Sequence, residues 1–101
     1  MPILKNALGR ALEFYGLTEF ERRVLMNTLD IRRGSTISYK QLAKMSGRPR
    51  AYRAVGNIMN KNPLPLLIPC HRVVASNHRL GGYAYGALAK RILLISEGAK
   101  V

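Results

Sequence analysis

Apolar residues recur with helical period along most of the chain, and glycine, proline and small polar residues break the pattern. Ile3, Leu4, Ala7, Leu8, Ala11 and Leu12 predict an amphipathic helix over residues 3–14, which Gly16 would end. Thr18-Glu19-Phe20-Glu21 reads as a capping box: the Thr18 hydroxyl caps backbone N–H groups while Glu21 reaches back. The helix it opens buries Phe20, Val24, Leu25, Leu29 and Ile31, and Gly34 is expected to stop it. Thr36-Ile37-Ser38 is a short extended piece, and Ser38 caps a helix holding Tyr39, Leu42, Ala43 and Met45. Gly47-Arg48-Pro49 is a turn, and a second helix follows over 51–60 with Ala54, Val55, Ile58 and Met59. Two short helices joined by a tight glycine-containing turn form a helix-turn-helix pattern, which many helical pairs share.

The prolines of Asn62-Pro63-Leu64-Pro65-Leu66-Leu67-Ile68-Pro69 exclude a helix interior. The apolar residues between them predict a buried, mostly extended segment leading into Cys70. Val73-Val74 reads as a second short strand, and residues 77–86 as a polar, glycine-rich loop. A last helix is expected over 87–96, with Leu88, Ile92, Leu93 and Ile95 apolar and Gly98 beyond its end. The expected fold is mainly α: a small winged-helix-like domain with a helix-turn-helix and two short β-strands.

Composition narrows this picture. With 101 residues, one domain is expected; with 48% hydrophobic residues but only two Phe and no Trp, its core should be aliphatic. No apolar run approaches the roughly 18–20 residues of a membrane span. Lys5, Asn6 and Arg10 interrupt any signal-peptide layout. Both features point to the cytoplasm, with nucleoid association in a prokaryote. Seventeen Lys and Arg against five acids give a net charge of +12. Such a field attracts polyanions, favouring nucleic acid over a membrane surface.

The single cysteine, Cys70, excludes an internal disulfide or a Cys-rich zinc site. His71 and His78 add no convincing ligand set, so neither metal nor cofactor is expected. A cysteine attacks as a thiolate and needs a base or a positive field, and His71 and Arg72 follow it directly. A histidine base works best when a carboxylate fixes its tautomer. Of the five acids, Glu19 and Glu21 belong to a helix start, whereas Glu97 sits at a helix end, where the macrodipole disfavours it. That makes Glu97 a candidate, against an exposed chance glutamate. On chemistry alone, a catalytic Cys70 and a buried inert cysteine both stay open.

The segment Ile68-Pro69-Cys70-His71-Arg72-Val73 resembles the active-site motif of the O6-alkylguanine-DNA alkyltransferases, also called methylated-DNA–protein-cysteine methyltransferases. Ser38-Tyr39-Lys40-Gln41-Leu42-Ala43, Arg53-Ala54-Val55-Gly56, Asn62-Pro63 and Glu97-Gly98 occur in the family's order and spacing. The resemblance covers roughly residues 18–98, the family's C-terminal catalytic domain. Residues 1–17 then read as a helical extension and 18–101 as the alkyltransferase domain, within one compact unit.

The resemblance implies that Cys70 accepts the alkyl group. His71 takes the thiol proton through a water, because neighbours in an extended segment point to opposite faces. Glu97 orients His71, and Tyr39 protonates the leaving guanine. The thioether is stable, so each protein acts once. Arg53 resembles the family's arginine finger, which replaces a flipped nucleotide in double-stranded DNA. Helix 51–60 would enter the minor groove, where Ala51, Ala54 and Gly56 allow close approach and little sequence is read. Arg50, Lys40, Lys44, Arg48 and Lys61 are candidate phosphate contacts. Asn62, Pro65, Val73 and Tyr83 match positions that shape the guanine pocket.

Several positions depart from the family pattern. Only about 17 residues precede the matching region, so helix 3–14, a partner or a second copy is expected to cover the face left bare. Tyr52 stands where the family has a small DNA-facing residue. Ala84 replaces a common serine, and Tyr85 follows where some members have glycine; its bulk would disfavour large adducts such as benzyl. Short alkyltransferase-like proteins bind alkylated DNA without repairing it and carry tryptophan at the cysteine position. A non-catalytic lesion-binding module is therefore the second reading, and a sequence-specific winged-helix regulator the third.

Overall fold

The computed structural model describes residues 2–64, 67–75, 80–83 and 85–99, with side chains from residue 5 onward. Helix α1 spans Pro2–Leu12 and tightens into a 3-10 turn at Glu13–Tyr15, so the last residues of the expected helix are not α-helical. Gly16 ends it in the left-handed region at φ 63°. Leu8 and Leu12 enter the core, and α1 packs on the next helix.

Helix α2 (Glu19–Thr28) opens with the expected capping box: Glu21 N–H donates to Thr18 Oγ1 at 3.1 Å, and Thr18 N–H donates to Glu21 Oε1 at 2.9 Å. It stops well before Gly34, correcting the expected end. The N–H groups of Leu29, Asp30 and Ile31 bond three residues back, to Met26, Asn27 and Thr28, which tightens and closes the helix. That turn folds Ile31 into the core. Gly34 is needed for another reason: at φ 88° its Cα faces the Glu97 carbonyl, and a Cβ there would lie 2.9 Å from that oxygen.

Strand β1 (Ile37–Ser38) leads into α3 (Tyr39–Met45), where Ser38 and Gln41 form a second capping box. Gly47, at φ 90°, turns the chain towards α4 (Tyr52–Asn60), which buries Val55, Ile58 and Met59. Helices α2, α3 and α4 pack on one another as the helix-turn-helix unit. Strand β2 (Val73–Val74) pairs with β1 in parallel, Ile37 opposite Val73 and Ser38 opposite Val74. The fold is thus mainly helical with a small two-stranded sheet, as the sequence pattern predicts.

One expectation fails. Among the described residues, the stretch before Cys70 is a turn rather than an extended segment. Ile68 N–H bonds to the Leu64 carbonyl at 2.9 Å, and Leu67 is exposed while Ile68 is buried. Asn62 clips this turn, accepting from Leu64 N–H at 2.9 Å and donating to the Ile68 carbonyl at 3.0 Å. Cys70–Arg72 then form one 3-10 turn. In the last helix, α5 (Ala87–Ser96), Leu88, Ile92 and Ile95 face outward, and the buried residues are Lys90 and Leu94. Helix α1 sits on α2 and leaves that outer face of α5 bare. Among the described residues, no helix is long and apolar enough to cross a membrane.

Candidate active site

The parallel β1–β2 register sets the turn before β1 level with Cys70–Arg72 before β2, whereas Tyr39 opens α3 beyond the other end of β1. Tyr39 is still near enough to Cys70 for a thiolate there to raise its pKa. Cys70 is free and buried, 1% exposed. Burial pushes its thiol above the ordinary value, while the Asn62 amide and the Lys90 ammonium pull the other way. A resting thiolate is therefore disfavoured, and attack requires a base.

His71 is the histidine that adjoins Cys70. Its ring is buried, and Nε2 lies 3.0 Å from Glu97 Oε1. With the carboxylate accepting from Nε2–H, Nδ1 carries the free lone pair. Nδ1 is buried with no protein partner among the described residues. The expected reason for a bridging water changes, because Cys70 and His71 share a 3-10 turn rather than an extended strand. Successive side chains there still diverge by about a third of a turn.

Glu97 caps the C-terminal end of α5. Arg72 holds its carboxyl below the ordinary value; burial opposes this, and the His71 bond adds to it. Arg72 Nε lies 3.0 Å from Oε1 and Nη2 2.7 Å from Oε2, a two-pronged ion pair.

Sequence reasoning missed Lys90. It is fully buried, and its Nζ donates to the Val73 carbonyl at 2.7 Å and the Gly82 carbonyl at 3.1 Å. Nζ also stands 5.7 Å from the Tyr39 ring centre. The available signal was its place one turn before Leu94 and two before Glu97, on the inner stripe of α5. Burial pushes Lys90 down to about 8, opposed by the nearby Cys70 thiolate. An unfolded lysine titrates near about 10.4. Between these values the unfolded chain binds the extra proton, so this group's contribution to stability rises with pH across that window and is lost as pH falls through 8. Urea unfolding of wild type and Lys90→Met should show wild type gaining on the variant by about 2–3 kcal/mol from pH 7 to 10. A constant difference would contradict a proton-releasing Lys90.

Tyr39 is half-buried, and its hydroxyl lies beside the Gly82 backbone without a well-formed hydrogen bond among the described residues. Burial raises its pKa, the Gly82 backbone lowers it, and Cys70 raises it further. Tyr83 is buried, edge-to-face with His71 at 6.2 Å and with the exposed Tyr85 at 5.6 Å. Val73 is fully buried in the core. Pro65, Ala84 and His78 lie outside the described residues.

On α4 and the turn before it, Arg50, Tyr52, Arg53 and Ala54 are exposed, and Ala51 is half-buried. Gly56 is half-buried, and a Cβ there would meet the Tyr39 ring at an ordinary contact distance of 3.7 Å. The Lys40 ammonium lies 5.4 Å from the Tyr52 ring centre. A groove of about 530 Å³ between α1 and α2 contains none of these site residues.

A family model described as the 6-O-methylguanine DNA methyltransferase DNA-binding domain matches residues 19–99. The human methylated-DNA–protein-cysteine methyltransferase is 48% identical over 83 residues, covering 81% of this chain and 40% of that protein. The Mycobacterium tuberculosis OGT structure in complex with DNA superposes with a TM-score of 0.79 at 41% identity, over 81% of this chain and 51% of that one. The S. pombe Atl1 structure, with damaged DNA containing O6-carboxymethylguanine, gives a TM-score of 0.72 at 28% identity over 83% of this chain and 80% of that one. The chain spans about half the length or less of the curated relatives it matches.

Proposed function

The chain belongs to the 6-O-methylguanine DNA methyltransferase family through its DNA-binding domain, and from that membership we propose that it repairs DNA by moving an alkyl group from O6-alkylguanine onto Cys70, once per molecule. Residues 18–101 are the working domain in this reading, equivalent to the family's catalytic part, and 1–17 a helical extension. The observation that carries it is the buried Cys70 beside a His71–Glu97 pair whose free nitrogen is unpartnered.

The thiol proton passes through a water to His71 Nδ1. The Cys70 sulfur forms a bond to the alkyl carbon as the bond from that carbon to O6 breaks. Guanine leaves with the electron pair and takes a proton from Tyr39. Lys90 stands beside Tyr39 and Cys70 and favours the negative charge that passes between them. No step removes the thioether.

A thiol only 1% exposed cannot meet a base that stays stacked, which argues for base flipping. Double-stranded DNA is the partner, as the complexes of M. tuberculosis OGT and S. pombe Atl1 support. Arg53, exposed near the start of α4, fills the vacated space, with Arg50, Ala51, Tyr52 and Ala54 along the minor groove. Asn62, Pro65, Val73, Tyr83 and Ala84 shape the pocket, and Tyr85, edge-to-face with Tyr83, limits adduct size.

The likeness to Atl1 favours one second reading, a lesion-binding module that flags damage without transfer. Intact-protein mass spectrometry after mixing with an O6-methylguanine duplex separates the two. Repair predicts a gain of one methyl mass on wild type and none on Cys70→Ser. Tight lesion binding by reduced wild type without that gain would leave only the module.

A further inference from the structure

We propose that Arg72 and the Ile31–Gly34 turn form a clamp that positions Glu97, and through it His71; the inference rests on the transfer reading above. Glu97 stands at a helix C-terminus, where the macrodipole pushes a carboxylate away. Left to itself the side chain would swing into water and release the imidazole.

Three contacts oppose this. Arg72 holds both carboxylate oxygens with its fork, and it shares Oε1 with His71 Nε2. Its remaining arm, Nη1, donates to the Ile31 carbonyl at 2.9 Å, anchoring the fork to the chain just beyond α2. On the backbone side, Gly34 lies so close to the Glu97 carbonyl that a Cβ would come within 2.9 Å of it. Glu97 is thus held through its side chain by Arg72, while Gly34, in the turn that anchors Arg72, lies close to its carbonyl.

The arrangement also settles charge. The Arg72 guanidinium balances the carboxylate charge by itself. Glu97 is therefore held by contacts that do not depend on the imidazole, which leaves Nδ1 free to accept the thiol proton. Arg72 and His71 share the same 3-10 turn, so base and clamp are placed together. Lysine supplies the charge but not the fork.

The test is a double-mutant cycle in single-turnover methyl transfer. Arg72→Met should slow transfer about 10- to 100-fold at nearly unchanged lesion affinity, with Arg72→Lys between it and wild type. In a Glu97→Gln background, Arg72→Met should add less than about a twofold loss. Equal slowing in both backgrounds would make Arg72 ordinary structural support and overturn the clamp, as would no slowing in either. Ring resonances of His71 in the DNA-free protein report the same clamp: Arg72→Met should shift the Nε2–H signal, and an unmoved signal counts against it. If Arg72→Met does not fold, Gly34→Ala keeps every side chain of the clamp and should move the same signal and slow transfer; no change in either would overturn it. If wild type transfers no methyl group, the repair reading fails, and the ring resonances still decide the clamp.

Discussion

His71→Asn should slow methyl transfer by about 10²- to 10⁴-fold while lesion affinity stays near that of wild type. Burial pushes the Cys70 thiol up, so at neutral pH almost no thiolate exists without help. Asparagine can still donate to Glu97, but it offers no basic nitrogen in place of Nδ1. The loss therefore falls on the chemical step, not on recognition. Raising the pH should recover part of the rate in the variant, because hydroxide then ionises the thiol directly. Single-turnover rates across pH, read by mass spectrometry, check both points. An unslowed variant would remove His71 from the mechanism, leaving Lys90 as the nearest positive influence on the thiol.

Gly81→Ala should lose more than about tenfold in transfer rate and about 1–3 kcal/mol in stability. Gly81 lies at φ 77°, so any side chain there is strained. A Cβ would also overlap the Tyr39 hydroxyl and come within 2.9 Å of its Cζ. On other sides the ring faces Gly56 of α4 and the Lys90 ammonium, 5.7 Å from its centre. The hydroxyl must move, and proton delivery to the leaving guanine goes with it. Gly86→Ala is the matched control. Its φ is 93°, yet nothing lies within 4 Å of the added carbon. Gly86→Ala should lose only the stability that backbone strain costs, and only Gly81→Ala should lose transfer beyond its folded fraction. Equal transfer in the two would mean that the Tyr39 hydroxyl has no part in the reaction.

Much of the local structure was legible in the chain. The Thr18–Glu21 box, the Ser38 cap, the glycine turns at 16 and 47 and the short strand at Val73-Val74 all appear where the pattern puts them. The end of α2 was not, because Gly34 stops nothing there; its glycine answers to Glu97, far along the chain. The inward stripe of α5 was not legible for a similar reason. Leu88, Ile92 and Ile95 have the more apolar side chains, but Lys90 finds two carbonyls and an aromatic face inside.

What the sequence determined by itself is whatever a few neighbouring residues settle: caps, turns, helical period, the family motif around Cys70, and a net charge suited to a polyanion. Those signals act within about a helical turn or are sums over the chain, so no fold is needed to read them. What only the tertiary structure decided is how distant groups meet. The β1–β2 register set the Ile31–Gly34 turn level with the Cys70 turn, and α5 carried Glu97 to it and Lys90 to the Val73 carbonyl. Arg72 closed onto a carboxylate 25 residues away and a carbonyl 41 residues away. Such contacts depend on the packing of whole helices around one core; burial then sets the ionisation of the thiol and the lysine, and the Arg72 hydrogen bond that of the carboxylate. A one-dimensional pattern holds the residues that take part, and the folded core supplies their distances and their dielectric surroundings.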